Sequence, residues 1–159
     1  MVRHRGAIGL EVGSPFALVT NGTTTDSGEI LEADRPRLLS YTFKHVRDPE
    51  MSKERASKVV FTLEPFGKLV KLTLTHEDFV AGSLLLDGIS KGWPAILSAL
   101  KSLLEKGTAI AIPPAALGIE GHRAGRLLLR PGVALADQLV EFALLLGNAF
   151  RRPLLIARA

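Results

Sequence analysis

The stretch Ile89-Ser90-Lys91-Gly92-Trp93-Pro94-Ala95-Ile96-Leu97-Ser98-Ala99-Leu100-Lys101-Ser102-Leu103-Leu104-Glu105-Lys106-Gly107 decides the architecture. Ile89, Trp93, Ile96, Leu97, Leu100, Leu103 and Leu104 return at helical spacing and form one apolar stripe. Lys91, Ser98, Lys101, Ser102 and Glu105 take the remaining faces. Gly107 is a good stop signal, and the cationic Lys106 before it suits the negative end of a helix. Proline cannot donate a backbone hydrogen bond. Pro94 therefore either opens this helix near its first turn or lies inside a longer one that begins around Ser83.

Upstream of the helix the period changes to two. Phe16 to Thr20 is a short β-compatible run ending at Asn21-Gly22, a hairpin-type turn signal. Ser27-Gly28 introduces a second run, Glu29 to Ala33, and Asp34-Arg35-Pro36 turns the chain into Leu38 to His45. There Leu39, Tyr41 and Phe43 point one way and Ser40, Thr42 and Lys44 the other, so one face is built for burial. Arg47 to Ala56 reads as a loop. Val59, Phe61 and Leu63 then alternate with Lys58, Thr62 and Glu64 up to Pro65-Phe66-Gly67. The next run puts Val70, Leu72, Leu74 and His76 opposite Lys71, Thr73 and Thr75. Strands joined this closely predict an antiparallel meander.

The chain has 159 residues, of which 47% are apolar and 23% charged, the balance of a globular domain. It has no cysteine, hence no disulfide framework and no thiolate chemistry, and a cytoplasmic location is the expectation. No secretory signal is visible at the N-terminus. The most apolar segment, Val133 to Phe150, is interrupted by Asp137, Gln138, Glu141 and Asn148, which argues against a membrane span. The net charge of +4 does not mark a nucleic-acid binder. Residues 1–106 are nearly balanced, and Arg151-Arg152 alone is no cationic surface.

Composition divides the chain near Gly107. All eight lysines lie at or before Lys106, whereas the rest is rich in Ala, Leu and Arg. Ala109 to Pro114 reads as a linker. The expected organisation is a domain over residues 1–107 and an atypical tail over 108–159. Within the tail a strand is expected over Arg126 to Arg130, a helix over Val133 to Phe150 and an edge strand over Pro153 to Ala159.

The ordered segments resemble a known family. Gly13-Ser14-Pro15-Phe16, Gly28-Glu29-Ile30-Leu31-Glu32 and Pro36-Arg37-Leu38-Leu39-Ser40-Tyr41-Thr42-Phe43 look like the central strands of heat-shock-protein-90-ATPase-activator-like proteins, a branch of the SRPBCC superfamily. Val59-Val60-Phe61-Thr62-Leu63-Glu64-Pro65 and Leu72-Thr73-Leu74-Thr75-His76 continue the likeness, and the stretch Gly92 to Gly107 is its most specific part. It covers about three fifths of the chain, from Val12 to Gly107. The resemblance implies an α+β helix-grip fold, in which a curved antiparallel sheet of about six strands packs on one long helix, often around a cavity. Members of the wider superfamily bind apolar ligands, cyclise polyketides or act as co-chaperones. Complete members usually begin with a strand and two short helices before the Gly-Ser-Pro region, so the domain is expected to be incomplete. The tail either replaces those elements or reflects a frame-altered reading of the gene.

If the helical stripe covers the concave face, a ligand pocket would be lined by Tyr41, Phe43, Val59, Phe61, Leu72, Leu74, His76, Trp93, Leu97 and Leu100. Its polar anchors would be the Tyr41 hydroxyl, the Trp93 indole and His76. The plain alternative is that these residues fill a core. His76 lies on the apolar face at a strand end, but period-two alternation supplies it with no partner, since Glu77 points the other way. His45 and His76 lack a third ligand for zinc. Glu29, Glu32 and Asp34 form no acid–base pair, and Ser57, Ser98 and Ser102 lack a nucleophile setting. No catalytic residue, metal or cofactor is assigned. The expected function is that of a small apolar-ligand-binding or interaction domain. The alternatives are a regulator of a chaperone ATPase and, last, a cyclase- or hydrolase-type enzyme. A homodimer completing the sheet is a further expected partner.

Overall fold

A computed structural model describes residues 11–111, apart from positions 21 and 35, together with the strand Leu154–Arg158. Its elements are β1 (Pro15–Thr20), β2 (Thr23–Asp34), β3 (Leu38–His45), β4 (Ser57–Phe66), β5 (Leu69–Glu77), α1 (Leu84–Lys106) and β6 (Leu154–Arg158). A short 3₁₀ turn, Met51–Lys53, interrupts the loop between β3 and β4. The five strands β1 to β5 pair in chain order, each antiparallel to the next. The fold is α+β, a curved antiparallel sheet on one long helix. The strand β6 lies outside β5 and runs parallel to it, from Val70 opposite Leu154 to Leu74 opposite Arg158. The strand and helix expected over Arg126–Arg130 and Val133–Phe150 fall outside the described residues.

Two elements are longer than periodicity alone implies. The second strand starts at Thr23 rather than Glu29. Its polar first half has no alternation of its own and is held by pairing with β1 on one side and β3 on the other. The helix takes the longer alternative, with Pro94 inside it. Ser83 caps its N-terminus, its hydroxyl accepting from the Leu86 N–H at 3.1 Å. The Glu54 carboxylate reinforces that end, accepting from the Ser83 hydroxyl at 2.6 Å and the Leu84 N–H at 2.8 Å. At the other end Gly107 adopts φ 75°, the left-handed conformation that closes a helix, and its N–H bonds the Leu103 carbonyl at 2.8 Å.

The core forms where the helical stripe meets the buried faces of β2 to β5. Val59, Phe61, Leu72, Ala99 and Leu100 expose nothing, and Ile30, Leu39, Leu63, Leu85 and Leu97 are buried with them. Burying side chains of this size stabilises by roughly 1.5–3 kcal/mol each relative to leaving them in water.

Register sets what stands in each row across the core face. Ile30 pairs with Tyr41, Tyr41 with Val59 and Val59 with His76, making one row from β2 to β5. The row beside it contains Phe16 opposite Gly28 and Phe43 opposite Ser57. The last row holds Leu18 opposite Asp26, and Asp26 opposite His45. The β2–β3 register shifts by one residue between Ile30 and Glu32. Asp26 and Ile30 face the core before this bulge, whereas Ala33 does so after it.

Candidate functional site

The side chain of His76 reaches its partners across three elements. Its Nε2 lies 2.7 Å from the Ser57 hydroxyl on β4, and its Nδ1 lies 3.0 Å from the Trp93 indole nitrogen on α1. An indole nitrogen only donates, so Nδ1 accepts and the hydrogen of the neutral ring sits on Nε2. That hydrogen goes to Ser57, whose own hydroxyl donates to the Phe43 carbonyl at 3.0 Å. The chain of donors therefore runs from indole to imidazole to hydroxyl to carbonyl.

This direction decides the chemistry. A base activating Ser57 would have to accept the serine proton, but here the imidazole gives one to it. Burial lowers the His76 pKa to about 4, so the ring is neutral near pH 7. Aromatic rings surround it: Phe43 edge-on at 5.5 Å, Phe79 at 4.6 Å and Trp93 at 6.1 Å between centroids. The network ties helix to sheet and leaves neither imidazole nitrogen open.

The residues selected from sequence come together on one side of the sheet. Tyr41, Phe43, Phe61, Leu72, Leu97 and Leu100 are buried, whereas Leu74, His76 and Trp93 are half-buried at the periphery of the same cluster. Trp93 meets Phe61 edge-on at 5.9 Å, and Tyr41 stacks near Phe61 at 6.2 Å. Phe16 stands edge-on to Tyr41 at 5.0 Å. It can do so because Gly28 leaves room for its ring: a Cβ at Gly28 would lie 2.5 Å from it. Burial, and secondarily the Asp26 carboxylate, push the Tyr41 phenol well above its ordinary pKa.

Several participants are invisible to local sequence. Ser57 had no nucleophile context, and only the pairing of β4 with β5 brings it to His76. His45 takes Asp26 as its partner, Nδ1 to Oδ1 at 2.7 Å, and so stands apart from His76. Glu32 accepts from the Ser40 hydroxyl at 3.2 Å, and Asp34 pairs with Arg37 at 2.7 Å on the exposed turn. Among the described residues no group of three or more His, Asp or Glu side chains is arranged to hold a metal ion. No helix among them is long and apolar enough to cross a membrane.

An antiparallel sheet whose core face is covered by one long helix defines a helix-grip domain of the SRPBCC type. The family model described as Activator of Hsp90 ATPase homolog 1-like protein matches residues 3–105. The chain belongs to that family. Comparison with curated proteins and with solved structures returned no match.

Proposed function

We propose that this domain binds a small apolar ligand between sheet and helix. The supporting observation is the aromatic periphery of the core, where Phe79, Trp93 and Leu74 are only partly buried around His76. A ligand entering there would meet rings and aliphatic carbons, with polar groups few and already oriented, as in most small-molecule sites. Tyr41, Phe43, Phe61, Leu72, Leu97 and Leu100 would form its deeper lining once the helix moves outward. His76 serves the site as a strut, because both its nitrogens are occupied.

A thermal-shift screen of apolar aromatic compounds on the intact chain tests this reading. Stabilisation by such compounds that disappears in Trp93→Ala supports it. Uniform failure of the screen, or binding indifferent to Trp93, counts against it.

The family description favours a second reading, regulation of a chaperone ATPase. It rests on family analogy rather than on a site. Stimulation of ATP hydrolysis by an Hsp90-type chaperone on adding the chain would favour it over ligand binding.

A further inference from the structure

The two described histidines of the core face differ in one respect. His76 has both ring nitrogens bonded. His45 has only Nδ1 bonded, to the Asp26 carboxylate at 2.7 Å, and no other described residue bonds its ring. A carboxylate can only accept, so Nδ1 carries the hydrogen and the neutral ring keeps a lone pair on Nε2. The pair is neither loose surface nor sealed core: the two side chains keep 22% and 14% of their surface exposed.

Its surroundings suit an apolar molecule. Asp26 faces Leu18 across β1, and Phe43 precedes His45 by two residues on the core face of β3. Phe16, Leu18 and Phe43 all pack in or against the core cluster. Tyr41 is buried in the same cluster, edge-on to Phe16. Among the described residues one polar nitrogen without a partner, Nε2 of His45, thus stands beside apolar and aromatic side chains.

We infer that His45, oriented by Asp26, is the polar anchor of the ligand site, and that the ligand is an apolar molecule bearing a hydroxyl group that donates to Nε2 of His45. This rests on the apolar-ligand reading above and adds the chemical class and the recognising residue. Asp26 acts as a positioning residue, since it fixes which nitrogen faces the ligand.

Three probes that differ in one group test it on the full chain: 2-naphthol, 2-methoxynaphthalene and naphthalene. Calorimetric titration is expected to give 2-naphthol an affinity about tenfold above that of its methyl ether, the scale of one hydrogen bond in a shielded site. Histidine ring nitrogen NMR is expected to show Nε2 of His45 moving on adding 2-naphthol, with His76 unmoved. His45→Phe should reduce the naphthol preference to about unity while retaining binding of the methyl ether. Should the two probes bind the intact chain equally, or naphthol perturb His76 alone, the anchor is wrong although the apolar site stands. If none of the three binds, the apolar-ligand reading fails and the anchor fails with it. The NMR arm needs no variant, so it decides the matter even where His45→Phe does not fold.

Discussion

Trp93 on the helix donates its indole N–H to Nδ1 of His76 on β5 at 3.0 Å, and that single bond fixes the tautomer of the histidine and the direction of every donor after it. Replacing Trp93 by Phe keeps a ring against Phe61 but leaves Nδ1 of a half-buried imidazole without its donor. Stability is expected to fall by about 1–3 kcal/mol, the cost of an unsatisfied polar group plus lost packing. Urea denaturation measures it, and nitrogen NMR of His76 should show the ring freed to exchange tautomers.

His76 also predicts a pH dependence. Its folded pKa is about 4, below the usual histidine value of about 6.5. Between those values the unfolded chain binds more protons than the folded one, so stability falls as pH drops through this window and levels off beneath it. With partial exposure allowed for, the loss from this residue is on the order of 2 kcal/mol between pH 7.5 and pH 4. Urea midpoints across that range should show the slope, and His76→Gln should flatten it.

Gly28 is a site of close approach. A Cβ there would lie 1.8 Å from the Thr42 carbonyl oxygen as well as 2.5 Å from the Phe16 ring. A phenyl ring can rotate away, but a backbone carbonyl in a strand cannot move without its neighbours. Gly28→Ala is expected to cost about 1–3 kcal/mol or more. Adding Phe16→Ala should fail to restore the loss, which a thermal melt of the single and double variants will show.

The clamp of Glu54 on the helix start gives a fourth stability prediction. Ser83→Ala removes the cap and should cost about 1 kcal/mol. Glu54→Ala removes acceptors for the Ser83 hydroxyl and the Leu84 N–H and should cost a similar amount. Because both act on one network, their double-mutant cycle should reveal coupling of at least about 0.5 kcal/mol.

The strand β6 covers the outer edge of β5. A chain ending after Gly107 would leave that edge unpaired, and exposed edges invite pairing between molecules. Size-exclusion chromatography with light scattering is expected to show more self-association for the shortened chain than for the intact one. Equal behaviour would mean that β6 contributes little to protecting the sheet.

The sequence alone determined the elements with strong local periods: the apolar stripe from Ile89 to Leu104, its end at Gly107, and the alternating faces of β3, β4 and β5. These are consequences of 3.6- and 2-residue repeats within one segment, and they also carry the family resemblance. They placed His76 and Trp93 on apolar faces but gave His76 no partner. Only the tertiary structure decided that Trp93 and Ser57 meet at His76, because the contact depends on how a helix lies over two strands.

Register shows the limit most clearly. The one-residue shift between Ile30 and Glu32 brings Asp26 opposite His45 and turns it toward the core. Had the pairing near the Asp34–Leu38 turn continued without that shift, Ser27 would face His45 instead. A bulge is settled by the competing fit of neighbouring strands, and the residues of β2 carry no local sign of it. Periodicity thus fixed which segments would be buried, while strand pairing fixed which polar groups would meet there, Asp26 with His45 among them.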